Sequence, residues 1–112
     1  MTVKKYFPLI FILLIVLITG CNGEDVKGKI VIKYDNNWTG VITLDHAETN
    51  ISGSGIQVFT YKNPDFLQVS AVKQDGSQEK LTVYIYEDDR IVAGDSTRDP
   101  EGSATAYYEY PY

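Results

Sequence analysis

Cysteine, histidine and tryptophan each occur once in this chain of 112 residues. A single cysteine forbids an intramolecular disulfide, so packing and hydrogen bonding must hold whatever fold forms. A single histidine leaves zinc and its neighbours short of their usual ligands. No serine sits in a G-x-S-x-G context, which removes the clearest signal of a nucleophile elbow. Basic residues are few, 10 against 15 acidic, for a formal charge of −5. That balance argues against a nucleic-acid partner, whose phosphates demand a basic surface. Beyond the N-terminal leader, no stretch sustains a helical period over three turns.

What is present begins with a leader. Lys4 and Lys5 supply a positive start, and residues 6–18 are almost wholly apolar, interrupted by Pro8. Thirteen residues fall short of the roughly 20 that cross a bilayer as a helix, and a short apolar run ending in small residues reads as a signal peptide. Its ending, Ile18-Thr19-Gly20-Cys21, fits a lipobox, in which an aliphatic and two small residues precede a cysteine that takes a thioether-linked diacylglycerol. The organisation expected is a helical lipoprotein signal peptide over 1–20, a lipidated tether over 21–26 and a folded domain over 27–112. An uncleaved anchor is the alternative. Removing 1–20 leaves 92 residues with 8 basic and 15 acidic side chains, a formal charge of −7. This is one domain with one modest core. The location implied is the cell membrane, lipid-anchored, facing outside the cytoplasm.

From Lys27 onward the hydrophobic period is two. Ile30, Ile32 and Tyr34 share a face, Asp35-Asn36-Asn37 reads as a turn, and Trp38, Ile42 and Leu44 share a face of the next run, so 29–44 is expected to be a hairpin. Residues 45–55 are polar and read as a loop, with Gly53-Ser54-Gly55 as its flexible part. Residues 56–61 form a third strand, closed by Pro64. Leu67, Val69 and Ala71 mark a fourth, and Asp75-Gly76 after it is a strong hairpin signal. Leu81, Val83 and Ile85 mark the inner face of a fifth, with Thr82, Tyr84 and Tyr86 opposite and Thr82 expected to be exposed. Glu87-Asp88-Asp89-Arg90 turns into a sixth strand at 91–93, and 103–110 is the seventh. About seven short antiparallel strands imply an all-β, immunoglobulin-like β-sandwich; a small barrel is the alternative.

The order of anchor, acidic tether, Trp38-Thr39-Gly40, Gly53-Ser54-Gly55, 67–72, 81–86, Glu87-Asp88-Asp89, Ile91-Val92, Ser96-Thr97 and Gly102 resembles small extracytoplasmic β-sandwich lipoproteins of methanogenic archaea. More distantly it is similar to MmpS-type transport accessory proteins, although the late cysteine pair of many such domains is missing. The resemblance implies a tethered sandwich beside a membrane partner and transfers no catalytic residue.

Candidate chemistry is sparse. His46, between Asp45 and Ala47, reads as a solvated loop histidine. The carboxylates of 87–89 and of Asp95, Asp99 and Glu101 could suit calcium, but their spacing matches no EF-hand and turn chemistry explains 88–89. No catalytic residue, metal site or cofactor is therefore expected. Asn37-Trp38-Thr39 and Asn50-Ile51-Ser52 are sequons; Asn50 is the better candidate acceptor, because Asn37 adjoins an inward Trp38. Tyr84 and Tyr86 form the candidate binding face, since tyrosine offers rigid amphipathic contact area, although sheet packing also uses it. Tyr108 and Tyr110 are expected on the opposite face from Tyr107. The function expected is a non-enzymatic binding or accessory module contacting the membrane through its anchor and another membrane or envelope protein. The alternatives are a small envelope hydrolase with a site in the loops 45–55 and 95–102, or a purely structural lipoprotein.

Overall fold

A computed structural model of the protein describes residues 25–111. The leader expected to be helical, Cys21 and most of the tether lie outside the described residues. Six strands follow in order: β1 (Lys27–Leu44), β2 (Ala47–Lys62), β3 (Phe66–Lys73), β4 (Leu81–Glu87), β5 (Arg90–Thr97) and β6 (Ser103–Glu109). All pairings are antiparallel, and the fold is an all-β sandwich.

Its plan depends on one long strand. β1 pairs with β2 from Lys27↔Lys62 to Leu44↔Ala47. On its other side β1 is shared. Residues 28–33 pair with β4, and residues 38–44 pair with β3. β4 continues to β5, and β3 continues to β6. The two halves of β1 therefore belong to two layers, and the strand turns from one to the other between Tyr34 and Asn37, where its register with β2 slips. Two extra residues on one strand bend it and increase its twist.

This corrects two expectations. Residues 35–37 do not reverse the chain; Asp35 and Asn36 are a bulge within one continuous strand. Residues 47–55 are not a loop, since they form the first half of β2. The true reversal is the two-residue connection Asp45-His46 between Leu44 and Ala47. Asp45 there has φ 58°, a left-handed conformation that Asp tolerates better than most residues. Its carboxylate accepts hydrogen bonds from the backbone N–H groups of Asp65 (2.9 Å) and Phe66 (3.2 Å). Gly53-Ser54-Gly55 then has a structural meaning. Gly53 lies opposite Trp38 in register, and a Cβ there would stand 3.1 Å from the indole Cζ2. Gly55, opposite Tyr34, has φ 74°. Gly53 leaves room for the Trp38 indole, and Gly55 supplies the positive φ with which β2 follows the bend.

Asp75-Gly76 also departs from expectation. β3 and β4 do not pair, so the 74–80 connection crosses between layers. Asp75 works as a hub instead. It accepts from the Tyr34 hydroxyl, from Asn36 Nδ2 at 2.8 Å and from the Ser77 N–H at 3.4 Å. The Tyr34 hydrogen bond holds the Asp75 carboxyl below its ordinary value, against the opposing effect of burial. Burial first, then Asp75, pushes the Tyr34 phenol up. Lys73 ends β3 with its side chain buried, donating to the carbonyls of Ser77 (2.6 Å) and Arg98 (3.2 Å). These groups tie the crossing loops to the bulge.

Between the layers, Ile30, Ile32, Tyr34, Leu81, Val83 and Ile85 face Trp38, Ile42, Leu67, Val69, Ala71, Ala104 and Ala106, all buried in one core. The inward faces of β1, β3 and β4 are the ones their alternation implies. At the far side from β2, the layers meet where Asp95 of β5 accepts from the Thr105 N–H of β6 at 3.0 Å. The sandwich is thus curled toward a barrel on that side, while β2 keeps a free edge.

Candidate binding face

The outer face of the β2–β1–β4–β5 layer follows from the registers. Val58 lies beside Val31, Val31 beside Tyr84, and Tyr84 beside Gly94. One row away are Thr60, Lys29, Tyr86 and Ile91; on the other side are Ile56, Lys33, Thr82 and Ser96. Tyr84 and Tyr86 thus sit at the centre of a mixed apolar and aromatic surface. Their rings meet edge to face with centroids 6.4 Å apart, and Lys29 Nζ lies 4.4 Å from the Tyr86 centroid, a cation–π arrangement. Tyr84 lies over Gly94, where a Cβ would approach its ring at 3.1 Å. An aromatic ring covering a strand glycine restores packing that the glycine lacks.

The remainder of this surface is open. Ile56 is 64% exposed, Val58 53% and Ile91 50%. Contiguous apolar side chains of this kind mark interaction sites when rimmed by polar groups. The charged groups here are mostly cationic: Lys29 and Lys33 stand on the face, and Lys80 borders a groove with Lys33, Tyr34, Asp35, Ile56, Thr82 and Tyr84. One carboxylate, that of Asp35 at the β1 bulge, borders the groove as well, so lysines outnumber carboxylates here although the whole chain is acidic. Thr82 departs from expectation, for it points to this face yet is buried at the base of that groove.

The opposite outer face differs in chemistry. Across β3 and β6 it presents Gln68, Ser70, Thr105 and Ser103, with the Ser70 and Thr105 hydroxyls 3.1 Å apart. Tyr107 is there too, 65% exposed and 6.2 Å from the Phe66 ring. Tyr108 and Tyr110 divide from Tyr107 as alternation requires. Tyr110 is buried and donates to the Tyr86 carbonyl at 2.8 Å. Tyr108 donates to Glu87 Oε1 at 2.9 Å, which pushes the Tyr108 phenol up. These two close the end of the sandwich, leaving Tyr84 and Tyr86 as the tyrosines of the apolar face.

Other candidate residues are scattered. Asn50 is exposed on β2, and Asn37 is exposed at the bulge even though Trp38 turns inward, so exposure does not separate the two sequons. His46 is exposed at the β1–β2 turn, bordering a groove with Asp45, Asp65, Phe66, Glu109 and Tyr110. The 98–102 connection lies at the other end of β3, where the Lys73 N–H donates to the Gly102 carbonyl. His46 and the 98–102 connection are therefore at opposite ends of β3, whereas Gly53, opposite Trp38, lies one strand away from Lys73. Among the described residues, no group of three or more His, Cys, Asp or Glu is placed to hold a metal ion. The Asp88 side chain accepts from the Lys27 N–H at 3.0 Å, which gives that turn carboxylate a structural partner.

Lys29, Val31, Lys33, Ile56, Val58 and Ile91 join the tyrosines only through pairing between distant segments. The alternation of Lys29-Ile30-Val31-Ile32-Lys33 does announce an outward Lys-Val-Lys stripe; what it lacks is the neighbour. No protein-family model, curated protein or solved structure matches the chain.

Proposed function

We propose that this protein is a lipid-anchored β-sandwich at the outer face of the membrane, a non-enzymatic binding or accessory module whose contact surface is centred on Tyr84 and Tyr86. The single observation that carries the reading is the surface just described. Ile56, Val58 and Ile91 are at least half exposed around a tyrosine pair, framed by lysines on an acidic chain. Such a face suits a partner with apolar side chains at its centre and carboxylates at its rim. Another membrane or envelope protein fits that description, and the accessory role agrees with the resemblance to MmpS-type proteins. The anchor rests on Ile18-Thr19-Gly20-Cys21, which would hold the face near such a partner by raising its local concentration.

Two experiments bear on this. Mass spectrometry of the native protein should find Cys21 carrying lipid, and Cys21→Ser should remove it; unmodified Cys21 in the wild type would end the anchor claim. Native protein extracted from membranes should co-purify a defined partner with an acidic, apolar contact surface. If gentle extraction followed by cross-linking recovers the chain alone, the binding-module reading fails.

A further inference from the structure

β2 is an edge strand of 16 residues, paired along its length with β1 only. Its other side presents backbone N–H and C=O groups that the sheet does not use; one of these carbonyls, that of Ser54, accepts from the Gln57 side chain at 3.3 Å. Natural edge strands are normally kept short, or interrupted by proline, lysine or a bulge, because an open edge templates another strand. β2 lacks these protections until Lys62, its last residue. From Thr49 to Tyr61 it contains no charged residue and no proline, and the only bulge at this level lies on β1.

The two charges of β2 are Glu48 near its start and Lys62 at its end. Both are exposed. Ile51, Phe59 and Tyr61 of β2 pack against the core and are all an odd number of residues from Glu48 and Lys62, so both charges project to the outer side. Lys62 is 3.4 Å from Asp25, with both side chains well exposed, a contact too solvated to hold it strongly.

From these features we infer that β2 pairs edge to edge with β2 of a second copy of this chain, antiparallel about a two-fold axis at Gly55. In that register Glu48 of each copy opposes Lys62 of the other, so both charges of the strand are matched, twice per dimer. Ile51 opposes Phe59, giving two further apolar cross-strand pairs. The occupant is specified by this self-complementarity, acid at one end and base at the other around an uncharged middle, which is what an isologous contact requires. The two-fold also keeps the curvature at Gly55 common to both strands. The layers then join into a continuous sheet across the dimer, leaving the Tyr84 and Tyr86 surface of each copy uncovered. The inference is independent of the proposed function.

The test is sedimentation equilibrium of the full-length chain in density-matched detergent micelles, with circular dichroism to confirm that each variant keeps its strand content. Wild type should be a reversible dimer. Glu48→Lys and Lys62→Glu, each converting two attractive contacts into repulsive ones, should each raise the dimer dissociation constant about tenfold. The double variant E48K/K62E should restore it to within about threefold of wild type, a rescue that no unrelated partner or fold defect would produce. Val58→Lys, a gatekeeper lysine on the edge, should also weaken the dimer. A monomer at all concentrations would overturn the inference. So would a dimer indifferent to the single reversals, or one that the double variant fails to rescue.

Discussion

Replacing Ile85 by alanine tests the layer assignment on which every surface argument here depends. Ile85 is fully buried, with Ile30 opposite on β1 and Ala93 opposite on β5. The change removes three carbons, worth about 2.4 kcal/mol at ~0.8 kcal/mol per buried methylene. A cavity term adds to this, because backbone hydrogen-bonded on both sides cannot collapse into the space. The total should be about 3–4 kcal/mol, inside the range of about 2–5 kcal/mol for such truncations. Domains of this size have a total stability of roughly 5–15 kcal/mol, so the variant should fold but with little margin. Val58→Ala is the matched control. It also shortens an aliphatic side chain in the same layer, but one 53% exposed on the outer face, and should cost less than about 1 kcal/mol. In urea, with a slope of about 1–3 kcal/mol per molar, the Ile85 variant's midpoint should fall by roughly 1–4 M while that of Val58→Ala barely moves. Equal losses at the two positions would refute the segregation of faces, and with it the exposed patch.

Two further perturbations follow from the same packing. Gly40→Ala would put a Cβ 2.4 Å from the Ser70 carbonyl oxygen, a backbone atom that cannot step aside, whereas Gly76→Ala meets nothing within 4 Å. Thermal denaturation should show the first variant losing about 3 kcal/mol or more and the second changing by less than about 0.5 kcal/mol. The Asp75 carboxyl sits below its ordinary value of 3.8 in the folded state, so its contribution is fully present above that value and is lost as pH falls through the folded one. Asp75→Asn should therefore flatten the acid limb of the stability curve, and an unchanged limb would show that Tyr34 and Asn36 do not hold the charged form. Tyr34 and Tyr108, held above 10.0 when folded, give the opposite sign: stability present below pH 10 is lost as pH rises through their folded values.

The inward faces were legible because period-two alternation is local. Ile30-Ile32-Tyr34, Leu67-Val69-Ala71 and Leu81-Val83-Ile85 could be placed with no knowledge of their partners. The first half of β2 was not legible, since it is an edge strand whose inward positions include Gly53 and Gly55. With the space at Gly53 filled by Trp38 from β1 and Gly55 serving the backbone bend, the segment carries no hydrophobic alternation of its own and resembles a loop. Asp35-Asn36-Asn37 misled for a related reason: small polar residues serve bulges as well as reversals, and only pairing on both flanks tells them apart. Asp75-Gly76 misled because its carboxylate is spent on Tyr34 and Asn36, contacts about 40 residues distant. The binding face was half legible. Tyr84 and Tyr86 announce themselves on β4, but the apolar surface exists only because β1 lies beside β4 and β2 beyond β1, and neither adjacency is a property of any one segment.

The central claim is that the Tyr84 and Tyr86 surface serves a partner as well as the sheet, and the double variant Y84S/Y86S tests it most directly through two readings on one protein. Each tyrosine makes cross-strand contacts worth roughly 0.2–1 kcal/mol, so the melting temperature should fall by several degrees, about 4–8 °C for each kcal/mol lost. Ile85→Val, costing about 0.5–1.5 kcal/mol in the core, supplies a comparably destabilised control with the outer face intact. The account predicts that Y84S/Y86S abolishes co-purification of the membrane partner at a temperature where it remains folded, while Ile85→Val retains it. If both variants lose the same stability and both still capture the partner, the tyrosines only pack the sheet and the proposed contact surface is wrong.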